Sequence, residues 1–389
     1  RGDIAAALAL KGAGGRSADR IASDIAALGG TIGASSDADA TVFSVNAPAA
    51  NIEAAARILA DVAMRPDFPA DAFEGLRGQQ VSAIAVAAKQ PMQTAMRALP
   101  AAIFGNAPYG AVPTVASLGA VTQGGIAAIQ REDWGPKAAT LIVTGALTPE
   151  AGFALAERSF GTWSGGKAPS ATPRGKVSIT PRVVAIDMPG VAQAAVIAAL
   201  PAAGRRDADW PSLRVANAAL GGGFQGWLTQ EIRVKRGLTY GAGSLLDSRR
   251  DAAYLMAVTQ TKTASANEVV GLILDQIGRF GREPVDAARA GERSIYLANG
   301  LSGQTERAAG LADYLATLVA SGAPLEALGA ELSSAAPPSP DRIAAAVAAH
   351  LRADQATIVI AGDSTQWASA LRERFPAIEL VDIEGRPLP

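Results

Sequence analysis

At 389 residues, with 49% apolar and 18% charged residues, the chain is long enough for two hydrophobic cores of about 200 residues each and too apolar for a disordered or polyanion-coating protein. Lys and Arg (35) balance Asp and Glu (36) to a net charge of -1 with no block of like charge, so neither nucleic acid nor an anionic membrane is indicated as a partner. Cysteine is absent and the only histidine is His350, which excludes disulfide frameworks, thiol nucleophiles, cysteine-type zinc sites and multi-histidine metal sites.

In chain order, the sequence opens at Arg1-Gly2-Asp3, with no initiator methionine and no signal-type apolar stretch, directly before a helical run; an upstream piece is expected to be missing or removed. Lys11-Gly-Ala-Gly-Gly-Arg-Ser17 lacks the order of a phosphate loop and reads as a turn before a helix capped by Ser17. That helix carries Ile21, Ile25 and Leu28 on one face and ends at Gly29-Gly30. An alternating strand, Thr41 to Val45, precedes a helix from Asn51 to Ala63. An Ala-rich helix around Ile126 to Ile129 and a short buried strand, Thr140 to Gly145, close the first half. The Gly/Pro/Ser-rich run 164–176 reads as a linker.

The second half repeats this order. The apolar run Ala194 to Leu200 stops at Pro201, far short of a membrane span. An apolar helix, Leu213 to Leu220, leads into Gly221-Gly222-Gly223-Phe224, which fits either a helix end or a substrate-contacting loop. An alternating strand (Tyr254, Met256, Val258) is followed by a helix from Asn267 to Ile277, offset by about 215 residues from its first-half counterpart. Ile343 to Leu351 and the strand Thr357 to Gly362 stand 217 residues after Ile126 and Thr140, and His350, in that helix, is assigned a structural role. The expected fold is α+β: two homologous domains, 1–163 and 177–389, each a mainly antiparallel sheet with helices packed on one face, joined by the linker 164–176.

Neither a GxSxG elbow nor a concentrated carboxylate pair is present. The remaining candidate is Arg233-Val-Lys-Arg-Gly-Leu-Thr-Tyr240, where a helix ending at Gly237 and a strand from Leu238 would bring a guanidinium and a phenol to one end of a sheet, both able to donate hydrogen bonds to a carbonyl oxygen.

The clusters Leu10-Lys11-Gly12, Arg16-Ser17-Ala18, Ala27-Leu28-Gly29-Gly30, Pro66-Asp67-Phe68-Pro69, Val215-Ala216-Asn217, Leu220-Gly221-Gly222 and Leu228 to Tyr240 together resemble the M16 (pitrilysin-type, inverzincin) metallopeptidase family, in particular its small two-domain bacterial branch. The family's HxxEH zinc helix would place its ligands and base on Asp3, Ala6 and Ala7, and its distant third ligand on Ala83, so the resemblance implies that this chain holds no metal. The family's Arg and Tyr seven residues apart, which bind substrate backbone and the oxyanion, match Arg233 and Tyr240. Gly221, Gly222, Gly223 and Phe224 are the further candidates for substrate contact.

The resemblance thus implies a zinc-free subunit of a heterodimeric, periplasmic endopeptidase for unfolded peptides. Its partner would be an HxxEH-bearing M16 subunit that carries the zinc, with Arg233 and Tyr240 acting in trans; homodimers are not excluded. The alternatives are a non-enzymatic scaffold or peptide-binding protein of the same fold and, more remotely, a stand-alone peptidase with unorthodox ligands.

Overall fold

The computed structural model describes residues 1–168, 174–178, 180–333, 336–383 and 385–388. Residues 169–173 of the expected linker lie outside the described residues; 164–168 and 174–176 have no regular secondary structure. Packing divides the chain into two compact units that interleave in sequence. The first comprises Arg1–Ile84, Pro113–Thr172 and Gln304–Ala320, the second Ala85–Val112, Pro173–Gly303 and Ser321–Pro389. Both combine helices with strands, as the sequence pattern requires.

In the first unit, strands β1 (Gly12–Ala13) and β2 (Arg16–Ser17) form a short hairpin, and β3 (Thr31–Ser36) pairs antiparallel with β4 (Thr41–Asn46). The Ser17 hydroxyl accepts from the Arg20 amide at 3.3 Å and so starts the helix Ala18–Ala27, whose Ile21 and Ile25 are buried; Gly29, at φ +66°, turns the chain out of it. The core gathers Ile4, Leu8, Ile25, Ile58, Val62, Phe68 and Ile126, with Trp134 set edge-on to Phe43 at 4.8 Å.

The expected strand Thr140 to Gly145 does not form. The segment has no regular secondary structure, and its Leu141 and Val143 side chains are exposed. An apolar run becomes a strand only with a neighbour to hydrogen-bond, and among the described residues none pairs with it. Its hydroxyl contact is instead from Thr144 to the Ala308 carbonyl, at 2.8 Å.

The second unit is built on a six-stranded sheet from β5 (Val183–Asp187), β6 (Gln193–Pro201), β7 (Thr239–Ser248), β8 (Ala253–Lys262), β9 (Thr357–Gly362) and β10 (Ile378–Val381), in the order β10-β5-β9-β6-β8-β7. The pairs β10–β5 and β5–β9 are parallel; the other three are antiparallel.

One face packs on the helices Trp210–Gly221, Ala266–Arg279 and Pro340–His350 through Val196, Ala198, Leu200, Leu255 and Ile358. The opposite face is covered as well, by the helix Pro91–Phe104, which seats Leu99 and Ile103 against Ile197, Tyr254, Met256 and Val359. This is why β8 does not alternate in burial: the first five of its residues, Ala253 to Ala257, are all buried. A sheet covered on both faces loses the period-2 signature. His350, at the end of its helix, bonds to the Asp209 carboxylate at 3.0 Å, a structural tie between two helices.

Candidate functional site

The sequence candidates of the second half converge where the helix Trp210–Gly221 meets the outer strand β7. Gly221 lies so close to β7 that a side-chain carbon there would sit 2.1 Å from the Ser244 nitrogen. Gly223 takes φ +66°, and together they let the chain leave the helix along the sheet edge. The next residue, Phe224, is 58% exposed, with its carbonyl accepting from Gln230 Nε2 at 2.8 Å.

Buried Trp227 and Leu228 then anchor a π-helix, Thr229–Lys235, one residue wider per turn than an α-helix. The Thr229 hydroxyl ties it to β7 through the Ala242 carbonyl at 2.7 Å, and Ile232 plugs it into the core. Arg233, the residue after this plug, is turned toward the surface.

The guanidinium of Arg233 lies between two rings, 4.9 Å from the centroid of Tyr240 and 5.8 Å from that of Phe224. Its cationic neighbours Lys235 and Arg236 both pair with Glu231, at 2.9 and 3.1 Å, and Arg236 also with Glu268. The Lys235 ammonium, donating to Glu231, holds that carboxyl below its ordinary pKa, so it stays ionised. Among the described residues no carboxylate pairs with Arg233, which leaves its donors available to a ligand.

Tyr240 owes its position to a β-bulge. Thr239 faces Thr261 and Ala242 faces Thr259, so Tyr240 and Gly241 together oppose Gln260 alone. Three threonines hold the bulge. Thr259 Oγ1 lies 2.8 Å from both the Gly241 carbonyl and Thr239 Oγ1, Thr239 Oγ1 reaches the Gln260 carbonyl at 2.7 Å, and Thr261 donates to the Leu238 carbonyl at 2.6 Å. The bulge throws the Tyr240 side chain outward, where it is 90% exposed. Sequence reading did not find this clamp: threonines in a strand are common, and only the register shift reveals what they hold.

The site therefore contains two kinds of hydrogen-bond donor, a guanidinium and a phenol, on a rigid aromatic shelf. It can bind and polarise a carbonyl; its carboxylate, Glu231, is taken up by Lys235 and Arg236.

The first-half positions look different. Asp3 is exposed in the first turn of the helix Gly2–Ala9, Ala6 is buried, Ala7 half-buried, and Ala83 is exposed on the helix Ala70–Ala87. Three of the four side chains are methyl groups with no lone pair, so this set does not fit a zinc ion. Among the described residues no group of three or more His, Cys, Asp or Glu could hold a metal.

Two family models account for most of the chain: the insulinase model of peptidase family M16 matches residues 4–112, and the peptidase M16 inactive domain matches residues 128–290. The chain belongs to the M16 peptidase family. An uncharacterized zinc protease of Mycobacterium tuberculosis is 25% identical over 291 residues, 74% of this chain; the match spans 66% of that relative's length. Among solved structures, a peptidase M16 inactive domain from Pseudomonas fluorescens superposes with a TM-score of 0.83 at 23% identity, covering 92% of this chain and 87% of that one. The periplasmic protease PqqL of Escherichia coli superposes at 0.71 and 14% identity, covering 91% of this M16 chain but 39% of its own. Among the described residues no helix is long and apolar enough to cross a membrane.

Proposed function

We propose that this M16 chain is the zinc-free subunit of a heterodimeric peptidase that cleaves unfolded peptides, with an HxxEH-bearing relative as the catalytic partner. The observation that carries the reading is the asymmetry between the two halves. The positions that would bind metal are Asp3, Ala6, Ala7 and Ala83, while Arg233 is kept free of carboxylate partners and stacked on an outward-facing Tyr240. A guanidinium and a phenol prearranged on one surface are what an oxyanion needs, because donors already in place cost no reorganisation as charge develops.

In this reading the partner supplies the metal chemistry, Arg233 holds a substrate carbonyl and Tyr240 donates to the developing oxyanion, with Phe224 and the Gly221–Gly223 loop flooring the peptide. The size relation supports pairing: one such fold occupies 39% of the E. coli periplasmic protease, leaving room for a second of similar size. That neighbour also supports a periplasmic setting. The second reading, a scaffold or peptide-binding protein, keeps the shelf and loses the chemistry.

The deciding experiment purifies the chain alone and together with an HxxEH-bearing M16 subunit, and measures zinc per chain and cleavage of unfolded peptides. The expected result is neither zinc nor cleavage for the single chain, and both for the pair. One tightly held zinc in the isolated chain, with chelator-sensitive cleavage, would overturn the reading.

A further inference from the structure

The aromatic shelf does not end at Phe224. A side-chain carbon at Gly223 would lie 3.3 Å from the hydroxyl of Tyr296, which projects from the helix Ala287–Thr305 and is 47% exposed. Three residues earlier on the same helix face, the Arg293 guanidinium lies 5.7 Å from the Tyr296 ring centroid. The row Tyr240, Arg233, Phe224, Gly223, Tyr296, Arg293 is thus continuous on one surface of the second unit.

Arg293 is unusual for its burial. Its side chain is 13% exposed, yet among the described residues its one carboxylate neighbour is Glu292, adjacent in sequence, 3.9 Å away and itself 69% exposed in water. That contact is longer than a hydrogen bond and lies in water, so it leaves the guanidinium donors accessible to solvent or to a ligand. Among the described residues Arg293 donates no hydrogen bond through its side chain, and the Tyr296 hydroxyl makes none. Elsewhere in the unit, shielded arginines are satisfied: Arg205 and Arg214 share the buried Glu331, and Arg249 faces Asp247.

We propose that Arg293 and Tyr296 form a carboxylate-binding subsite beside the glycine loop, so that this surface prefers peptides bearing an acidic group one end of the row away from Arg233. The inference rests on the reading of Arg233 and Tyr240 as a peptide-binding pair and names the substrate class that pair would receive. A guanidinium beside a ring, with a phenol three residues on, presents a planar fork of charged donors and a hydroxyl to a carboxylate, and a neutral amide would gain fewer and weaker bonds. The carboxylate can come from a Glu or Asp side chain or from a peptide C-terminus.

The test measures binding of fluorescein-labelled unfolded decapeptides to the full chain at low salt by anisotropy. Three peptides are used: one internal Glu with an amidated end, the same with Gln, and the Gln peptide with a free C-terminal carboxylate. The Glu peptide should bind about tenfold tighter than the Gln peptide, the scale of a charge-assisted hydrogen bond. The third peptide shows whether the C-terminus serves instead. Arg293→Gln should bring that ratio close to one, Arg293→Lys should keep part of it, and Tyr296→Phe should lower it; circular dichroism checks that each variant is folded. Arg233→Ala should weaken all three peptides together and leave the ratio unchanged.

Equal binding of all three peptides to the wild type, or a ratio that survives Arg293→Gln, overturns the subsite. If the ratio survives but Arg233→Ala still weakens binding, the subsite fails while the peptide-binding pair stands. If Arg293→Gln erases the ratio but Arg233→Ala changes nothing, the subsite stands and the role of Arg233 falls.

Discussion

Replacing Thr259 by Val tests whether the β-bulge is what aims Tyr240. The two side chains have nearly the same shape, and Thr259 is 2% exposed, so the substitution removes a hydroxyl without opening a cavity. That hydroxyl lies 2.8 Å from the Gly241 carbonyl. Without it the single proton of Thr239 must serve either the Gln260 carbonyl, at 2.7 Å, or the Gly241 carbonyl, at 2.9 Å, and one of them loses its donor. Gly241 is exposed, so water can replace part of the loss, which sets the cost near the low end for an unmade bond, about 1 kcal/mol. If the loosened bulge also lets Tyr240 leave Arg233, a further ~0.5–1 kcal/mol of cation–π attraction goes with it. The expected drop of about 1–2 kcal/mol is read from urea denaturation. Position is read separately from 19F spectra of protein carrying 3-fluorotyrosine, in which the Tyr240 signal is one of five and is assigned by its disappearance in Tyr240→Phe. Thr259→Val should shift that signal alone. An unmoved Tyr240 resonance, with stability lowered by less than ~0.3 kcal/mol, would refute the idea that the threonines hold the bulge.

In the reconstituted pair, Tyr240→Phe in this subunit should lower kcat by about 10²–10³-fold, the effect of removing one oxyanion donor, while leaving subunit association unchanged in sedimentation. Glu331 is buried between Arg205 and Arg214, each at 3.1 Å, and accepts from Trp210 Nε1 at 3.0 Å; Glu331→Ala should cost about 3 kcal/mol in urea denaturation because it strands two shielded cations. Burial first, and then the charge of Asp247, 2.7 Å from its hydroxyl, raise the Tyr254 phenol well above its ordinary range. A raised folded pKa favours the folded state fully below about pH 10, and that advantage is lost as pH rises further, so the wild type should lose more stability between about pH 9 and pH 11 than Tyr254→Phe does.

Much of this architecture could be read from local chemistry. Ser17 caps its helix and Gly29 ends it because side-chain oxygens and positive φ act within a few residues. Arg233 and Tyr240 could be paired because a helix end and a strand start separated by only Arg236, Gly237 and Leu238 leave little freedom. The failures have a common cause. Thr140-Leu-Ile-Val-Thr-Gly145 and Thr357-Ile-Val-Ile-Ala-Gly362 are nearly the same string, yet the second becomes β9 because β5 and β6 flank it, whereas the first finds no partner among the described residues. Hydropathy describes a residue's own side chain, and strand formation depends on its neighbour. The helix Pro91–Phe104, which buries the second face of the sheet, is likewise invisible from β8 itself, more than 140 residues away.

The distribution of unfavourable local geometry bears on what the second unit is for. Between Gly221 and Ala242 the chain packs a glycine too close to a strand for any side chain, a left-handed Gly223, a π-helix and a bulge that interrupts a ladder. Each of these is less stable than regular structure, and such features persist where the surroundings impose them for a purpose. Their combined result is to stack Arg233 against an exposed Tyr240, while Glu231 withdraws the competing charges of Lys235 and Arg236. The helix Gly2–Ala9 shows the opposite: Ile4, Ala5, Ala6, Leu8 and Ala9 are buried in a regular α-helix whose one ionisable side chain, Asp3, is exposed. A chain serving only as a scaffold could have relaxed both regions to regular packing. In the second unit the irregular run from Gly221 to Ala242 coincides with the place where donors are presented, as the proposed role of a subunit that contributes binding and polarisation would require.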